Sequence, residues 1–148
     1  MNPRTGAIAR VYDLSVQDPA PIMLIRHRDR FLLGGFDGLI QTFDRRLRPV
    51  TTFDDGYNPI TDMAFAGGRL HVLETFSGPA PFAPDTGRIV RRERGGRHTT
   101  VAARLNFPVG MAAGRGHGYR RGLYVSTVGY GQGAVAGRGR IVRVSLRR

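Results

Sequence analysis

The sequence contains no cysteine, no lysine and no tryptophan. Without cysteine the chain cannot form disulfides, thiolate nucleophiles or cysteine-ligated zinc sites. All 23 cationic residues are arginine, so there is no lysine for a Walker A loop, a Schiff base or pyridoxal phosphate chemistry. No apolar run approaches the roughly 20 residues of a membrane-spanning helix. Residues 1–14 also lack the continuous apolar stretch of a secretory signal, and the compartment stays undecided.

Acidic residues are scarce in the second part of the chain. Residues 86–148 hold 14 arginines and one acid, Glu93, whereas residues 1–85 hold 9 arginines and 10 acids. This asymmetry predicts a basic surface that could meet an anionic partner, although an arginine-favouring codon bias would produce it as well.

Short segments recur in order along the 148 residues, among 21 glycines and 9 prolines. Three landmarks repeat at spacings of 49, 53 and 52 residues: 58–64 with 107–113, 70–73 with 123–126, and 87–91 with 139–143. A weaker copy lies upstream at 21–24, 30–33 and 38–43. Recurrence at a period of 40–50 residues is typical of repeat architectures.

Each landmark is rich in β-branched, leucine or aromatic residues and is bounded by glycine or proline, which is the pattern of short strands. Four strands per repeat indicate propeller blades. We therefore predict an all-β fold of about three blades, with a partial blade remnant at 1–19 and repeats at 20–57, 58–106 and 107–148. A β-sandwich of unrelated strands is the alternative, but it leaves the recurrence unexplained.

The residues that carry these landmarks also carry a family resemblance. The segments 58–65, 68–74, 87–91, 107–112 and 123–126 resemble the ScyD/ScyE family of scytonemin-biosynthesis-associated propeller proteins, which is similar to NHL-repeat and gluconolactonase-like six-bladed propellers. The resemblance is good over 58–146 and thin before 58. It implies an incomplete six-bladed propeller that corresponds to the C-terminal half of a family member. Members are often exported, and the family supplies no catalytic motif to carry over.

Three blades cannot close a ring, because propellers have typically four to eight. Residues 6–14 would be the third strand of a preceding blade, and the last repeat ends after its third strand. We therefore expect either a fragment of a longer product, which we favour, or a chain that self-associates or pairs with the missing half.

The loops between blades and between second and third strands are predicted to share one face. Two long inserts, 76–86 and 128–137, extend that face, and inserts on one face of a repeat protein often mark its binding surface. The candidate ligand-binding residues are aromatic walls and polar contacts: Asn58, Asp62, Glu74, Phe76, Phe82, Asn106 and Tyr130. The alternative is that the rings pin long loops and the asparagines cap turns.

The opposite face is predicted to gather arginines on hairpin tips. The candidate polyanion-binding residues are Arg91, Arg92, Arg94, Arg120 and Arg121. Guanidinium groups bind phosphate and carboxylate in a bidentate way, although solvated tips are the alternative. No recognition helix, RNA-recognition signature or zinc finger accompanies them, so the sequence does not favour sequence-specific nucleic-acid binding.

Catalytic patterns are weak. The histidines show no metal-ligand spacing, no serine lies in a nucleophile elbow, and His71 is expected to be a satisfied, partly buried strand residue.

Oxygen donors at Asn58, Asp62, Glu74 and Asn106 form the hard set that calcium prefers, and gluconolactonase-like propellers use such a set centrally. We therefore predict a binding module without catalysis or cofactor. A calcium-dependent lactonase-like hydrolase in an assembled ring and a polyanion binder are the alternatives; the sequence names neither a small-molecule nor a protein ligand.

Overall fold

The computed structural model describes residues 21–78, 83–114, 121–128 and 139–146. This part of the chain consists of β-strands and one short 3-10 turn, without an α-helix. The predicted all-β class is therefore confirmed. Within the same residues, no helix has the length and apolar character that crossing a membrane would require.

The strands form three antiparallel sheets in which neighbours in sequence are neighbours in space. The first sheet contains β1 (Pro21–His27), β2 (Arg30–Gly35), β3 (Ile40–Phe43) and β4 (Pro49–Asp54). The second contains β5 (Ile60–Ala66), β6 (Arg69–Glu74), β7 (Gly87–Arg92) and β8 (His98–Leu105), with the 3-10 turn Arg94–Gly96 between the last two. The third contains β9 (Pro108–Gly114), β10 (Gly122–Thr127) and β11 (Arg140–Val144). Two-residue and other short turns favour this sequential pairing.

Each sheet therefore has two different ends. We call the end with the first-to-second and third-to-fourth strand turns the hairpin end; in the second sheet it includes Gly67–Gly68 and Glu93–Arg97. The other end, which we call the connection end, carries the second-to-third strand loops and the links between sheets at 55–59 and 106–107. All sheet-to-sheet crossings of the described chain lie at the connection end.

The first two strands of every sheet pair with the same irregularity. The pairing skips one residue after Pro21, after Ile60 and after Pro108, each near the start of its strand. A residue left unpaired in this way bends the strand and increases its twist. The three sheets therefore begin with the same local distortion.

The sheets stack face to face around two apolar clusters. The first lies between the first and second sheets: Leu32, Ile40, Tyr57, Ile60, Met63, Leu70, Val72 and Val90. The second lies between the second and third sheets: Ala66, Leu73, Ile89, Leu105, Met111, Leu123 and Val125. Burial of each large aliphatic side chain contributes about 1.5–3 kcal/mol, so these two interfaces hold the sheets together.

The second sheet is covered on both faces, and its sequence reflects this. β6 is buried from Leu70 to Glu74, and it reads as a nearly continuous apolar run because alternate residues enter different clusters. Val72 belongs to the first cluster and Leu73 to the second.

Candidate functional site

The connection end is where the sequence predicted a ligand site. Asn58 lies in the link before β5, Asp62 lies in β5, Glu74 ends β6, and Asn106 lies in the link after β8. Phe76 follows β6, whereas Phe82 and Tyr130 lie outside the described residues. The structure brings Asn58 and Glu74 into direct contact.

Glu74 is a fully buried carboxylate at 0% exposure. It accepts hydrogen bonds from the Asn58 backbone nitrogen (3.1 Å) and from Asn58 Nδ2 (2.9 Å). On its other side it forms an ion pair with Arg88, whose Nε lies 2.5 Å from Oε2 and whose Nη2 lies 3.3 Å from Oε1. A buried carboxylate is costly unless it is paired and hydrogen-bonded. These four bonds satisfy it, and they tie the link at 55–59 to β6 and β7.

The Asn58 side chain extends this network into the loop after β6. Its Oδ1 accepts a hydrogen bond from the Gly78 backbone nitrogen at 3.4 Å. The Thr75 backbone nitrogen donates to the Pro59 carbonyl at 3.1 Å. Both bonds join the 55–59 link to the start of the insert that the sequence singled out.

Threonine hydroxyls connect the second sheet to the third at the same end. Thr75 Oγ1 lies 2.8 Å from the Pro108 carbonyl oxygen and 2.9 Å from Thr61 Oγ1. Thr61 Oγ1 is itself 3.2 Å from that carbonyl. Thr61 and Thr75 are not among the predicted site residues, because nothing in the local sequence indicates their convergence on a carbonyl in the next sheet.

Asp62 also joins two sheets. Its Oδ1 accepts from the Met63 backbone nitrogen at 2.7 Å, and its Oδ2 accepts from the Met111 backbone nitrogen in β9 at 2.5 Å. Burial raises the pKa of Asp62, and the two backbone hydrogen bonds oppose that rise. The side chain therefore acts as a strand-to-strand link and has both oxygens engaged.

Aromatic rings flank the link between the second and third sheets. Phe76 and Phe107 pack edge to face with centroids 5.2 Å apart, an arrangement favoured by the ring quadrupoles. Phe107 has φ 43°, a left-handed conformation that is rare for a bulky residue. Phe36, in the β2–β3 loop at the same end, is 40% exposed. The sequence reasoning did not select Phe107 or Phe36 as binding residues.

Asn106 differs from the other predicted polar contacts. It is half-buried, and its Oδ1 is buried without a hydrogen-bond partner among the described residues. A buried acceptor left unpaired costs about 1–3 kcal/mol. Its position directly before Phe107 makes it the one predicted contact in the described chain with an unused acceptor.

The hairpin end carries most of the described arginines, but two of the predicted polyanion contacts are engaged. Arg91 Nη2 lies 2.6 Å from Glu93, which also pairs with Arg69 at 3.1 Å. Arg92 Nε lies 2.8 Å from Asp54 of the first sheet. Arg94 lies in the 3-10 turn and Arg121 precedes β10, whereas Arg120 lies outside the described residues. Within the described ranges, the arginines of this end without an acidic partner are Arg26, Arg28, Arg30, Arg45, Arg46, Arg94, Arg97, Arg121 and Arg143.

Asp54 is the centre of a cluster that joins the first two sheets. Its Oδ2 accepts from Tyr57 Oη (2.6 Å), Arg92 Nε (2.8 Å) and His98 Nε2 (2.9 Å). The Tyr57 and His98 rings stack at 4.2 Å, and Arg92 lies 4.7 Å from the Phe53 ring centroid. Burial opposes ionisation of Asp54, but these hydrogen bonds and neighbouring positive charges bring its pKa below the usual value. Burial beside the carboxylate raises the pKa of Tyr57.

His71 is more buried than the sequence suggested. It is 1% exposed, its Nδ1 lies 3.2 Å from the Arg69 carbonyl oxygen, and its Nε2 has no partner among the described residues. Burial lowers the pKa of His71 and so favours the neutral ring. The expected satisfied histidine is therefore only half satisfied, because the second sheet is covered on both faces.

Within the described ranges, no group of three or more histidine, aspartate or glutamate side chains is arranged to hold a metal ion. Three of the four oxygen donors that could suggest calcium, Asn58, Asp62 and Glu74, accept hydrogen bonds from within the protein instead, whereas Asn106 Oδ1 has no partner among the described residues.

Comparison of the chain with protein-family models, with curated proteins and with solved structures gave no match.

Proposed function

We propose that the chain is a non-catalytic binding module of the β-propeller type, related to the ScyD/ScyE-like propellers that its sequence resembles. The order of its strands supports the propeller. Each sheet is a sequential meander, and β5 packs against both β1 and β9, the first strands of the neighbouring sheets. First strands that lie side by side are what a central channel requires. The chain would supply half of a six-bladed ring.

We propose the connection end as the recognition surface of this module. The observation that carries the proposal is the Phe76–Phe107 pair directly after Asn106, whose Oδ1 has no hydrogen-bond partner among the described residues. Small-molecule sites combine apolar walls with a few polar groups that fix orientation. A neutral ligand with a planar or apolar body would pack on the rings, and a rotation of the Asn106 side chain would bring its Oδ1 to an N–H or O–H donor of that ligand.

In this proposal Glu74, Asn58 and Asp62 are braces rather than ligand contacts. Their oxygens already accept hydrogen bonds from within the protein. They fasten the 55–59 link to β6, β7 and the start of the insert, and they join β5 to β9, so that this end is ordered before a ligand arrives. Preorganisation of this kind lowers the entropic cost of binding.

The proposal is tested by amide NMR titration with a panel of neutral aromatic and sugar-lactone fragments. We expect shift changes centred on Asn106 and Phe107, and we expect Asn106→Ala to remove them while the free energy of unfolding falls by no more than about 0.5 kcal/mol. Fragments that bind Asn106→Ala as they bind the unmodified chain, or shifts confined to the hairpin end, would contradict it.

Polyanion binding through the hairpin end is the second candidate, and the charge distribution favours it. Among the described residues, the acids of that end are Asp29, Asp44 and Glu93; the last two are paired with arginines, and Asp54 of the first sheet pairs with Arg92. The arginines named above that have no acidic partner in the described part of the chain therefore leave a strong positive charge there. Binding of this kind is electrostatic and weakens steeply as salt rises.

A pair of charge-matched variants tests this candidate on a heparin column. Arg94→Ser with Arg97→Ser removes two charges from the hairpin end, and Arg104→Ser with Arg140→Ser removes two exposed charges from the connection end. We expect only the first variant to elute at clearly lower salt. Equal elution of the two variants would refute a localised surface.

The calcium-dependent lactonase-like alternative requires the braces to release their oxygens. Calcium should then raise the melting temperature and support lactone turnover in the assembled protein. Neither effect is expected for a binding module.

A further inference from the structure

The same two kinds of apolar residue occur together in both interfaces between the sheets. The pairing registers make Leu24, Met63 and Met111 equivalent, since they pair with Leu33, Val72 and Val125 in their sheets. In the same way Ile40, Ile89 and Ile141 are equivalent, since they pair with Gly34, Leu73 and Ser126. Each sheet therefore offers one residue of each kind.

The two kinds of residue meet in both interfaces. Ile40 of the first sheet and Met63 of the second share the first cluster, at 0% and 2% exposure. Ile89 of the second sheet and Met111 of the third share the second cluster, at 0% and 8% exposure. Stacking is therefore head-to-tail, with the isoleucine face of one sheet always on the methionine face of the next.

Among the residues that the structure describes, one of each kind is left without this partner. Leu24 is 52% exposed and Ile141 is 77% exposed. Both point away from the clusters, because their strand neighbours Met23, Ile25 and Val142 pack into them and strand side chains alternate. The residues directly across from Ile141 are small, Ser126 in β10 and then Gly110 in β9, and the exposed Arg143 flanks it along β11.

We propose that a second copy of this chain supplies the missing partner, with the Leu24 face of each copy on the Ile141 face of the other. The occupant is a second copy because both halves of the contact belong to this chain and are the equivalents of two that already pack together within it. Such a head-to-tail contact closes a ring if the rotation fits. The described residues of two copies provide six sheets, within the four to eight that close propellers. The inference depends on sheet stacking and not on the proposed ligand.

Two single variants and their mixture test the proposal by sedimentation velocity at micromolar concentration. The unmodified chain should sediment as a dimer of the 16.3 kDa chain. Leu24→Asp and Ile141→Asp should each weaken dimerisation about a hundredfold or more, because a ring repeats the buried charge in both interfaces. A 1:1 mixture of the two variants should form a dimer that is weaker than that of the unmodified chain. The Leu24→Asp chain keeps its Ile141 face and the Ile141→Asp chain keeps its Leu24 face, so one of the two interfaces remains intact.

Phe36→Asp is the matched control, because Phe36 is a similarly exposed apolar residue at the connection end. It should leave the dimer intact. Circular dichroism and cooperative unfolding establish that every variant folds, and Leu24→Ser and Ile141→Ser replace any aspartate variant that does not.

A monomeric unmodified chain would overturn the proposal, as would a ladder of open oligomers. Loss of dimer in only one of the two aspartate variants would also overturn it, because that result indicates a face that binds itself. The fragment titration on the monomeric Leu24→Asp variant reads the Asn106 surface separately, so failure of either proposal is recognised independently of the other.

Discussion

Replacing the buried carboxylate at Glu74 should destabilise the fold strongly. Glu74→Gln keeps the shape of the side chain but removes the negative charge that pairs with Arg88. It also replaces one of the two carboxylate oxygens, each of which accepts a hydrogen bond from Asn58 and another from Arg88. Breaking a buried ion pair by removing one partner typically costs about 3–5 kcal/mol. The Arg88 side chain is 32% exposed, so water recovers part of its solvation. We therefore expect a loss of about 2–3 kcal/mol, a large share of a domain's marginal stability.

Urea unfolding followed by circular dichroism measures this loss. The measurement uses a fixed protein concentration in the Leu24→Asp background, because association would add to the apparent stability. A loss of 2–3 kcal/mol corresponds to a fall in melting temperature of about 4–12 °C for a domain of this size. A double-mutant cycle with Arg88→Met should give a coupling of about 1–2 kcal/mol.

Arg140→Met is the matched control for Arg88→Met. Arg140 pairs with Thr127 as Arg88 pairs with Glu74, but it is exposed and faces a threonine in that position. Its substitution should change stability by less than about 0.5 kcal/mol. If Glu74→Gln unfolds like the unmodified chain and the coupling is near zero, Glu74 is not a brace and a ligand-contact role is restored.

Three further predictions follow from buried contacts. The pKa of Asp54 is lowered in the folded chain. The stabilisation that Asp54 contributes is therefore complete above the ordinary aspartate pKa of about 4 and is lost as pH falls through the lowered pKa. Asp54→Asn should make the urea midpoint depend less on pH between pH 6 and pH 2. Gly38→Ala should cost more than about 2 kcal/mol, because φ is 76° and a Cβ would overlap the Tyr57 carbonyl oxygen, whereas Gly56→Ala, at φ 77° with open space, should cost about 1 kcal/mol; equal losses would refute the overlap. His71→Leu should leave the unfolding free energy unchanged or raise it, since it removes an unpaired buried nitrogen, and a loss above about 2 kcal/mol would show that the ring is needed.

The fold class was predictable because its signals are local. Strand residues such as Leu70–Leu73 are recognisable from side-chain type and from the glycines and proline-rich loops around them. The register was less predictable. Sequence similarity aligns 58–64 with 107–113 at a spacing of 49 residues. The strand registers instead make Met63 and Met111 equivalent positions of their sheets, which is a spacing of one residue less. Nothing in the local sequence predicts that the strand pairing skips one residue after Ile60 and after Pro108.

The candidate site shows the same limit. Asn58 and Glu74 were both selected, but as parallel ligand contacts and not as partners of each other. Arg88 was seen only as part of a repeated strand, although it supplies the opposing charge. Arg91 and Arg92 were grouped as one basic tip, yet adjacent strand residues point to opposite faces, and the two pair with different acids.

By itself, the sequence determined that this chain is an all-β protein of short strands, because strand formation depends on residue type and on nearby turn residues. Only the tertiary structure decided which polar side chains neutralise one another. The Glu74 network joins residues 14 and 16 positions apart, and the Asp54 cluster joins residues up to 44 positions apart. Such meetings are fixed by register, twist and sheet stacking, which place distant residues within 3 Å or keep them apart without any change in local sequence.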